Sequence, residues 1–218
     1  MIAVLEQLLK DSATSDEAHR LPPERELAQR LGVSHRQLRL ALDTLEARGI
    51  LFRRRGQGTF AVPPPLPEGG RYRVLGAAVT LDEIMDVRLQ IEPHLAQLAA
   101  TRITPEAAAQ LGVLMLNSCN AADAEAYDLA DEIFHYRIAA LAGNPLFLEV
   151  YQLIRQLRRE SGWRERRAAT NVPHVLRTLA DQHRAIYDAI AAANPDAAGK
   201  AVRLHMNYLA ETIADKTL

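Results

Sequence analysis

The sequence predicts a mainly α-helical protein in which an N-terminal winged helix-turn-helix precedes an all-helical bundle of about six helices. Three observations predict it: apolar residues recur at helical spacing through most of the 218 residues, two short strand-like segments flank a Gly-x-Gly turn, and prolines separate the two regions. The proline run, residues 63–67, cannot continue a helix or a central strand. We therefore place the first domain at residues 1–62, a linker at 63–80 and a helical domain at 81–218.

Composition narrows the class of protein. Hydrophobic residues make up 48% of the chain, and the single cysteine, Cys119, excludes a disulfide framework and a zinc site built from several cysteines. The sequence has no apolar stretch of the roughly 18–20 residues that a membrane span needs. Its first residues also lack the basic region and apolar run of a signal peptide. We expect a soluble, cytoplasmic protein.

Charge is distributed unevenly, although the formal net charge is only −1. Residues 33–56 contain six arginines and two acidic residues, whereas residues 63–218 contain more acidic than basic residues. A partner with phosphate groups would therefore meet this one segment and not the whole surface.

The first 62 residues predict three helices followed by a hairpin. Apolar residues at helical spacing place the first helix near residues 2–9, and two prolines start the second, Glu24–Leu31, which ends at Gly32 in a left-handed conformation. The third helix begins at Ser34, and Gln37 completes a capping box. Strand-like segments at 50–53 and 59–62 then flank a glycine-rich turn.

The third helix carries side chains suited to DNA. His35, Arg36 and Arg39 lie near its N-terminal end and away from its leucines, and in helix-turn-helix proteins that end enters the major groove. One arginine can donate two hydrogen bonds to guanine, so Arg36 and Arg39 fit base contacts. Gln37 could pair with adenine in competition with the capping box, and Ser34 could donate to a phosphate.

A second set of DNA contacts is predicted in the hairpin. Three arginines lead into the turn, with Arg54 and Arg55 nearest to it. The bare backbone of Gly56 and Gly58 allows close approach to the sugar-phosphate chain, and Thr59 follows directly. The alternative is that these arginines form a solvated strand edge that discourages aggregation.

The N-terminal motifs resemble the DNA-binding domain of GntR-family transcriptional repressors. The similarity covers roughly residues 20–62 and runs through Arg20–Ala28, Leu31–Ser34, Leu38-Arg39, Gly49-Ile50 and Gly56–Phe60. It implies that Arg25 contacts a phosphate and that Arg39 contacts bases. The chain departs from the usual pattern at Pro23, His35 and Leu40, where the family has Ser, Arg and Glu, so the base preference is expected to differ.

From residue 81 the periodicity predicts six helices. We place them at residues 81–102, 105–117, 124–142, 145–160, 174–193 and 195–214. The many alanines in this half allow the helices to pack closely as a bundle.

Four polar residues stand out in this half, namely Asp131, His135, His183 and His205. Asp131 and His135 are four residues apart on a strongly apolar helix, so they share a face, and the other two lie among apolar residues of later helices. One carboxylate and three imidazoles could bind a divalent metal and leave coordination positions open. Alternatively, each histidine is an isolated surface or core residue.

The same half resembles the FCD effector domain of the FadR-type branch of the GntR family. The similarity spans about residues 81–214 and includes Leu81–Ile84, Asp131–His135, Gly143–Leu146, Gln182–Ile186 and His205. It implies that the four residues hold a metal, often zinc, with nickel or manganese as alternatives, and that a small organic acid binds at or near it. Arg88 resembles an arginine that some relatives direct into this pocket; a salt bridge to Glu92 is the alternative. Six helices rather than seven suggest the VanR-like subgroup.

A second arginine-rich stretch, residues 155–167, also contains the only tryptophan, Trp163. It combines six arginines with two glutamates. We interpret it as an exposed helix end and loop, with a contact to the DNA backbone or a lid over the pocket as the alternative.

Three functions are compatible with the sequence. The first is a regulator, not an enzyme, that binds palindromic operator DNA as a homodimer and responds to a small carboxylate at the metal. The second is a metal-dependent hydrolase, for which Glu132 is poorly placed as a general base because it lies about 100° round the helix from Asp131. The third keeps DNA binding but makes the metal purely structural. The first explains both halves of the chain, and we expect a repressor.

Overall fold

The computed structural model describes residues 1–13, 21–47, 50–54, 58–61, 70–160, 163, 167 and 170–214. These residues form ten helices and one two-stranded sheet. The chain divides into two compact units, residues 1–65 and 66–218, and the boundary falls within the proline run.

The first unit contains three helices followed by a hairpin. The elements are α1 (Ile2–Ala13), α2 (Glu24–Leu31), α3 (His35–Ala47), β1 (Phe52–Arg54) and β2 (Gly58–Phe60). The strands are antiparallel, with Phe52 opposite Phe60 and Arg54 opposite Gly58. Leucines from all three helices fill the core, including Leu5, Leu27 and Leu42. The predicted winged helix-turn-helix is therefore confirmed.

The turn between α2 and α3 has the chemistry that the sequence predicts. Gly32 lies at φ +64°, in the left-handed region, and its N–H donates to the carbonyl groups that end α2. At the start of α3 the Gln37 N–H donates to Ser34 Oγ at 3.3 Å, while Gln37 Oε1 accepts from the Ser34 N–H at 3.1 Å. This reciprocal capping box fixes where the third helix begins.

The second unit is a helical bundle. Its elements are α4 (Gly70–Ala78), α5 (Leu81–Arg102), α6 (Pro105–Cys119), α7 (Ala124–Leu141), α8 (Pro145–Glu160), α9 (Pro173–Ala191) and α10 (Pro195–Ala214). Helix α5 packs along α10, and α9 packs against both α10 and α6. The main core includes Leu111, Phe134, Ile186 and Met206. None of the described helices combines the length and apolar character needed to cross a membrane.

Helix α4 differs from the predicted linker at residues 63–80. The prolines that prevent regular structure end at Pro67, so residues 70–78 are free to form a helix, and this helix packs against α8. Helix α4 precedes the six helices predicted for residues 81–218, and all six of these are present as α5–α10. Six is the number of helices on which the suggestion of the VanR-like subgroup rests.

Helix α5 is held in place at both its start and its middle. Thr80 and Glu83 form a capping box at its N-terminus. Pro93 lies inside the helix and has no N–H for the carbonyl of Leu89, four residues earlier. Arg203 of α10 supplies a donor instead, with Nη1 at 3.4 Å from that oxygen. The central turns of α5 carry Arg88 and Glu92, which are both buried in the bundle.

Candidate metal centre and DNA interface

The bundle brings the four predicted metal ligands together. Asp131 and His135 come from α7, His183 from α9 and His205 from α10, and all four are buried. One ligand atom of each lies within 4.8 Å of the others. Asp131 Oδ1 is 3.3 Å from His183 Nε2 and 3.7 Å from His135 Nε2. The spacing i, i+4 on α7 gives two of these positions, and helix packing supplies the other two.

Each histidine is oriented by a polar partner on its outer nitrogen. His135 Nδ1 lies 3.0 Å from Glu92 Oε2 and His205 Nδ1 lies 3.0 Å from Gln182 Oε1. His183 Nδ1 lies 2.8 Å from the hydroxyl of Ser118, which donates its own hydrogen to the carbonyl of Met115. All three partners therefore accept, and the Nδ1 atoms carry the ring hydrogens. Partners of this kind fix the tautomer of metal-binding histidines.

The inward-facing atoms fit a cation. Neutral imidazoles protonated at Nδ1 present bare lone pairs at Nε2, and the Nε2 atoms of His135 and His205 are only 3.2 Å apart. The Nε2 atom of His183 and Oδ1 of Asp131 are buried and have no hydrogen-bond partner among the described residues. Converging lone pairs repel unless a cation lies between them, so the donor set matches a divalent metal.

The pKa values of these groups favour the protonation states that a metal requires. Burial lowers the pKa of His183, and burial together with the neighbouring imidazoles lowers that of His205 well below its usual range. Burial raises the pKa of Asp131, but a proton on His183 and the charges of protonated His135 and of Arg167 lower it well below its usual value, so the carboxylate is already ionised before a metal displaces the imidazole protons. Neutral imidazoles and an ionised carboxylate are the forms that ligate metals.

Arg88 pairs with Glu92, one of the two roles considered for it. Its Nε lies 2.5 Å from Glu92 Oε1, and both side chains are buried. Burial raises the pKa of Glu92, but Arg88 and His135 outweigh it and lower the value to about 2. Because the other oxygen of Glu92 contacts His135, Arg88 is linked to the metal-ligand cluster through this carboxylate.

The interpretation of residues 155–167 as exposed is wrong for the members that the structure places. Arg155, Arg158, Trp163 and Arg167 are all buried. Arg158 lies over the ring of Trp163, at 4.1 Å, and its Nη2 is 3.9 Å from Asp131 Oδ2. The positions of Arg164 and Arg166 lie outside the described residues.

A signal for this burial was present in α8. Tyr151 and Ile154 lie on its buried face, and Arg155 and Arg158 follow Tyr151 by four and seven residues. Arginines at helical spacing on an apolar stripe indicate buried cations that need partners from other helices.

Glu132, the residue considered as a general base for the hydrolase alternative, is paired with an arginine. Glu132 accepts a hydrogen bond from Arg155 Nε at 2.8 Å and is thereby engaged in an ion pair. This agrees with the predicted placement of Glu132 away from the face of Asp131.

The first unit exposes most of the side chains predicted to contact DNA. Arg25 of α2 and His35, Arg36 and Arg39 of α3 are all exposed. Arg39 Nε lies 3.5 Å from Glu24 Oε2, but its side chain remains 71% exposed. Ser34 and Gln37 are also exposed, although their side chains bond to each other at 2.8 Å, which occupies the Ser34 hydroxyl.

The hairpin differs from the prediction at one residue. Thr59 lies in β2 opposite Arg53 and is buried, with 7% exposure, so its side chain is not presented to solvent. Gly58 lies at φ +118°, which suits the glycine predicted there. Arg55, Gly56 and the side chain of Arg54 lie outside the described residues.

Arg53 has a role that the sequence analysis did not assign. Its Nε donates to Glu46 Oε2 at 2.8 Å, its N–H donates to Glu46 Oε1, and its Nη2 pairs with Asp43. Because Asp43 and Glu46 belong to α3, this arginine joins β1 of the wing to the third helix.

The exposed basic helix, the wing and the bundle together define a winged-helix transcriptional regulator with a separate C-terminal module. Residues 3–61 match the bacterial regulatory proteins of the gntR family, and residues 83–208 match the FCD domain. The chain therefore belongs to the GntR family and is a DNA-binding transcriptional regulator of its FCD-containing branch.

Similar proteins agree with this assignment. The chain is 32% identical over 212 residues to the "Putative L-lactate dehydrogenase operon regulatory protein" of Escherichia coli K12, covering 94% of this chain and 82% of that protein. It is 27% identical to the "HTH-type transcriptional repressor NanR" of Salmonella newport, covering 95% and 82%. Among solved structures, a GntR protein of Streptococcus agalactiae matches with a TM-score of 0.52 and 25% identity over 96% of this chain and 97% of that one.

Proposed function

We propose that this protein is a cytoplasmic, ligand-responsive repressor that binds a palindromic operator as a homodimer. A small organic acid would control it by binding at a divalent metal held by Asp131, His135, His183 and His205. One observation carries the proposal: a buried carboxylate oxygen and three imidazole nitrogens face each other, and the outer nitrogen of every imidazole is already bonded. The relatives described as an operon regulator and a repressor support control of transcription over catalysis.

Zinc is the metal that we propose first, with nickel and manganese as alternatives. Imidazole suits zinc and nickel, and a carboxylate extends the choice toward manganese. When bound, the metal would offer its open positions to carboxylate oxygens of the acid. A purely structural metal, fully coordinated by the four side chains, is the competing outcome.

Control of DNA binding requires only a modest effect of the acid on the bundle. A symmetric dimer contacts half-sites about one helical turn apart, ~34–36 Å, so a small change in the spacing of its DNA-binding units lowers affinity. Allosteric coupling free energies are typically about 1–3 kcal/mol, which corresponds to roughly 5–150-fold in operator affinity.

Metal content tests the cluster directly. Elemental analysis of the purified full chain should give about one metal ion per chain for the wild type, and His183→Ala should lose it because one of four ligands is removed. His174→Ala is the matched control, since His174 is exposed at the start of α9. Equal metal in the His183→Ala and wild-type proteins would remove His183 from the ligand set.

Operator release tests the regulatory role. Operator DNA selected from random duplexes with the metal-loaded chain should bind more weakly when an organic acid is added, within the coupling range given above. Removing the metal with a chelator should abolish that response. If acids never change operator affinity while chelation lowers the melting temperature, the metal is structural and the proposal of effector control fails.

A further inference from the structure

Four buried side chains around the cluster have donor atoms for which the described residues provide no acceptor. They are Arg88, Tyr127, Tyr151 and Arg167, each at most 2% exposed. The Nη2 atom of Arg88, both tyrosine hydroxyls, and the Nη1 and Nη2 atoms of Arg167 have no hydrogen-bond partner among the described residues. Buried polar atoms normally have partners, so these donors indicate a ligand rich in acceptors.

The first pair of donors lies on the side of His135. Arg88 Nε is held by Glu92 Oε1 at 2.5 Å, and the other oxygen of Glu92 contacts His135 Nδ1 at 3.0 Å. Tyr151 lines the same narrow gap as Glu92 and His135. Because Glu92 occupies only Nε, the outer nitrogen Nη2 of Arg88 is left to bind a further acceptor.

The second pair lies on the side of His183. The ring of Tyr127 stacks with the imidazole of His183, with centroids 5.9 Å apart and planes 10° apart. The guanidinium of Arg167 lies 5.8 Å from the centroid of Tyr127. Asp128 Oδ1 forms an ion pair with Nε of Arg167 at 3.3 Å. Unlike Nε of Arg88, this nitrogen makes no hydrogen bond, so all three guanidinium nitrogens of Arg167 lack a hydrogen-bond partner among the described residues.

We infer that the acid that binds at this centre is a short dicarboxylate. One carboxylate would bind Arg88 and Tyr151, and the other would bind Arg167 and Tyr127, on the two sides of the histidine cluster. The inference rests on the proposed function and names the class of its effector. A monocarboxylate would satisfy one pair and leave the buried donors of the other without acceptors.

The same geometry connects binding to a change in the bundle. The gap lined by Glu92, Leu95, His135 and Tyr151 leaves no room even for a water molecule. In this inference a carboxylate that enters the gap moves α5, α7 and α8 apart, so binding at Arg88 and Tyr151 is coupled to a rearrangement of these helices.

The only tryptophan supplies a direct readout. Trp163 lies between two arginines, with Arg158 at 4.1 Å and Arg88 at 5.1 Å from its ring. Fluorescence of the metal-loaded full chain should be titrated with succinate and L-malate, and with butyrate and L-lactate as monocarboxylates. We expect the dicarboxylates to bind at least about tenfold more tightly, because only they satisfy both donor pairs.

Removing single hydroxyl groups locates the two carboxylates while preserving the packing. Tyr151→Phe and Tyr127→Phe should each weaken succinate binding several-fold. Tyr187→Phe is the matched control, since its hydroxyl faces Gly112 on α6. This inference would be overturned, without affecting the proposed function, if monocarboxylates bound as tightly as dicarboxylates. It would also be overturned if Tyr151→Phe and Tyr127→Phe both bound succinate like the wild type. If no acid binds a chain shown to contain metal, the proposed effector control fails with it.

A second, independent inference concerns Leu40 on α3. Leu38, Leu42 and Leu45 of this helix are fully buried, but Leu40 is 69% exposed. It lies four residues after Arg36 and beside Arg39, on the exposed side of the helix. A major-groove contact by these arginines brings Leu40 to the base edges as well.

We propose that Leu40 contacts the C5-methyl group of a thymine, because this is the apolar group that bases present in the major groove. In operator DNA selected with the full chain, each thymine should be replaced in turn by deoxyuridine, which lacks the methyl group. At one position or more this replacement should lower the affinity of the wild type about fourfold, which is the effect of burying one methyl group. The same replacement should not change the affinity of Leu40→Ala. Leu146→Ala, at an equally exposed leucine of α8, is the control. The contact would be disproved if Leu40→Ala lost as much affinity as the wild type when thymine is replaced by deoxyuridine. It would also be disproved if no replacement changed the affinity of the wild type.

Discussion

Arginine plays opposite roles in the two units of this protein. In the N-terminal unit Arg25, Arg36 and Arg39 are exposed, so folding removes little water from their charged groups. In the bundle Arg88 and Arg167 are completely buried, and each is held through Nε by a carboxylate from the bundle. The comparison teaches that an arginine-rich segment is a candidate for nucleic-acid contact only when its side chains remain in solvent. Buried arginines belong instead to the fold, where carboxylates compensate their charge.

The largest expected effect is on stability, in the bundle. Arg88→Ala should lower the free energy of unfolding by about 3–5 kcal/mol, because it leaves the buried carboxylate of Glu92 without its cation. Arg36→Ala, at an exposed arginine, should change it by less than about 0.5 kcal/mol. Chemical denaturation of both variants measures the difference. Equal stability of the two would mean that the burial of Arg88 carries no such cost.

Sequence reasoning succeeded where a local pattern decides the structure. The left-handed Gly32 and the Ser34–Gln37 capping box depend on residues within one turn, and both are found as predicted. Asp131 and His135 share a face because of their i, i+4 spacing. That His183 and His205 join them was one of two alternatives left open by their apolar surroundings, and the family resemblance implied it, since no local pattern links three helices.

The misses have a common physical cause. Periodicity tells which residues share a face, but it does not tell what that face meets. Arg155 and Arg167 are buried against Glu132 and Asp128 of α7, more than twenty residues away along the chain, so their partners could not be inferred from neighbouring positions. Thr59 was assigned to DNA from its place after the glycine turn, yet it packs inside the unit.

The next effect is on DNA affinity, in the N-terminal unit. Arg39→Ala should weaken operator binding by about 1–3 kcal/mol if Arg39 contacts a guanine. The free energy of unfolding should hardly change, since the side chain is 71% exposed. Gel-shift titrations with the selected operator and denaturation of the same sample measure both quantities. Arg184→Ala, at an exposed arginine of the bundle, is the control. Unchanged operator binding by Arg39→Ala would contradict the assignment of α3 as the recognition helix.

A smaller effect separates phosphate contacts from base contacts. Operator affinity should fall steeply as salt rises, and Arg25→Ala should reduce the slope of log K against log salt by about 1, because one phosphate contact is lost. The loss should be similar for specific and random duplexes. An unchanged slope would show that Arg25 does not contact the DNA backbone.

The smallest effect concerns the ion pair between Arg39 and Glu24, whose atoms are 3.5 Å apart. Exposed ion pairs contribute about 0–1 kcal/mol, so Glu24→Gln should leave the free energy of unfolding within about 0.5 kcal/mol of the wild type. It should also strengthen operator binding by about twofold, because Arg39 no longer has to leave a carboxylate before it contacts DNA. Glu26→Gln, which removes the neighbouring pair with Arg30, is the matched control and should not change operator affinity. Weaker binding by Glu24→Gln would mean that Glu24 orients Arg39 toward the bases, and the exposed arginines would then depend on carboxylate partners as the buried ones do.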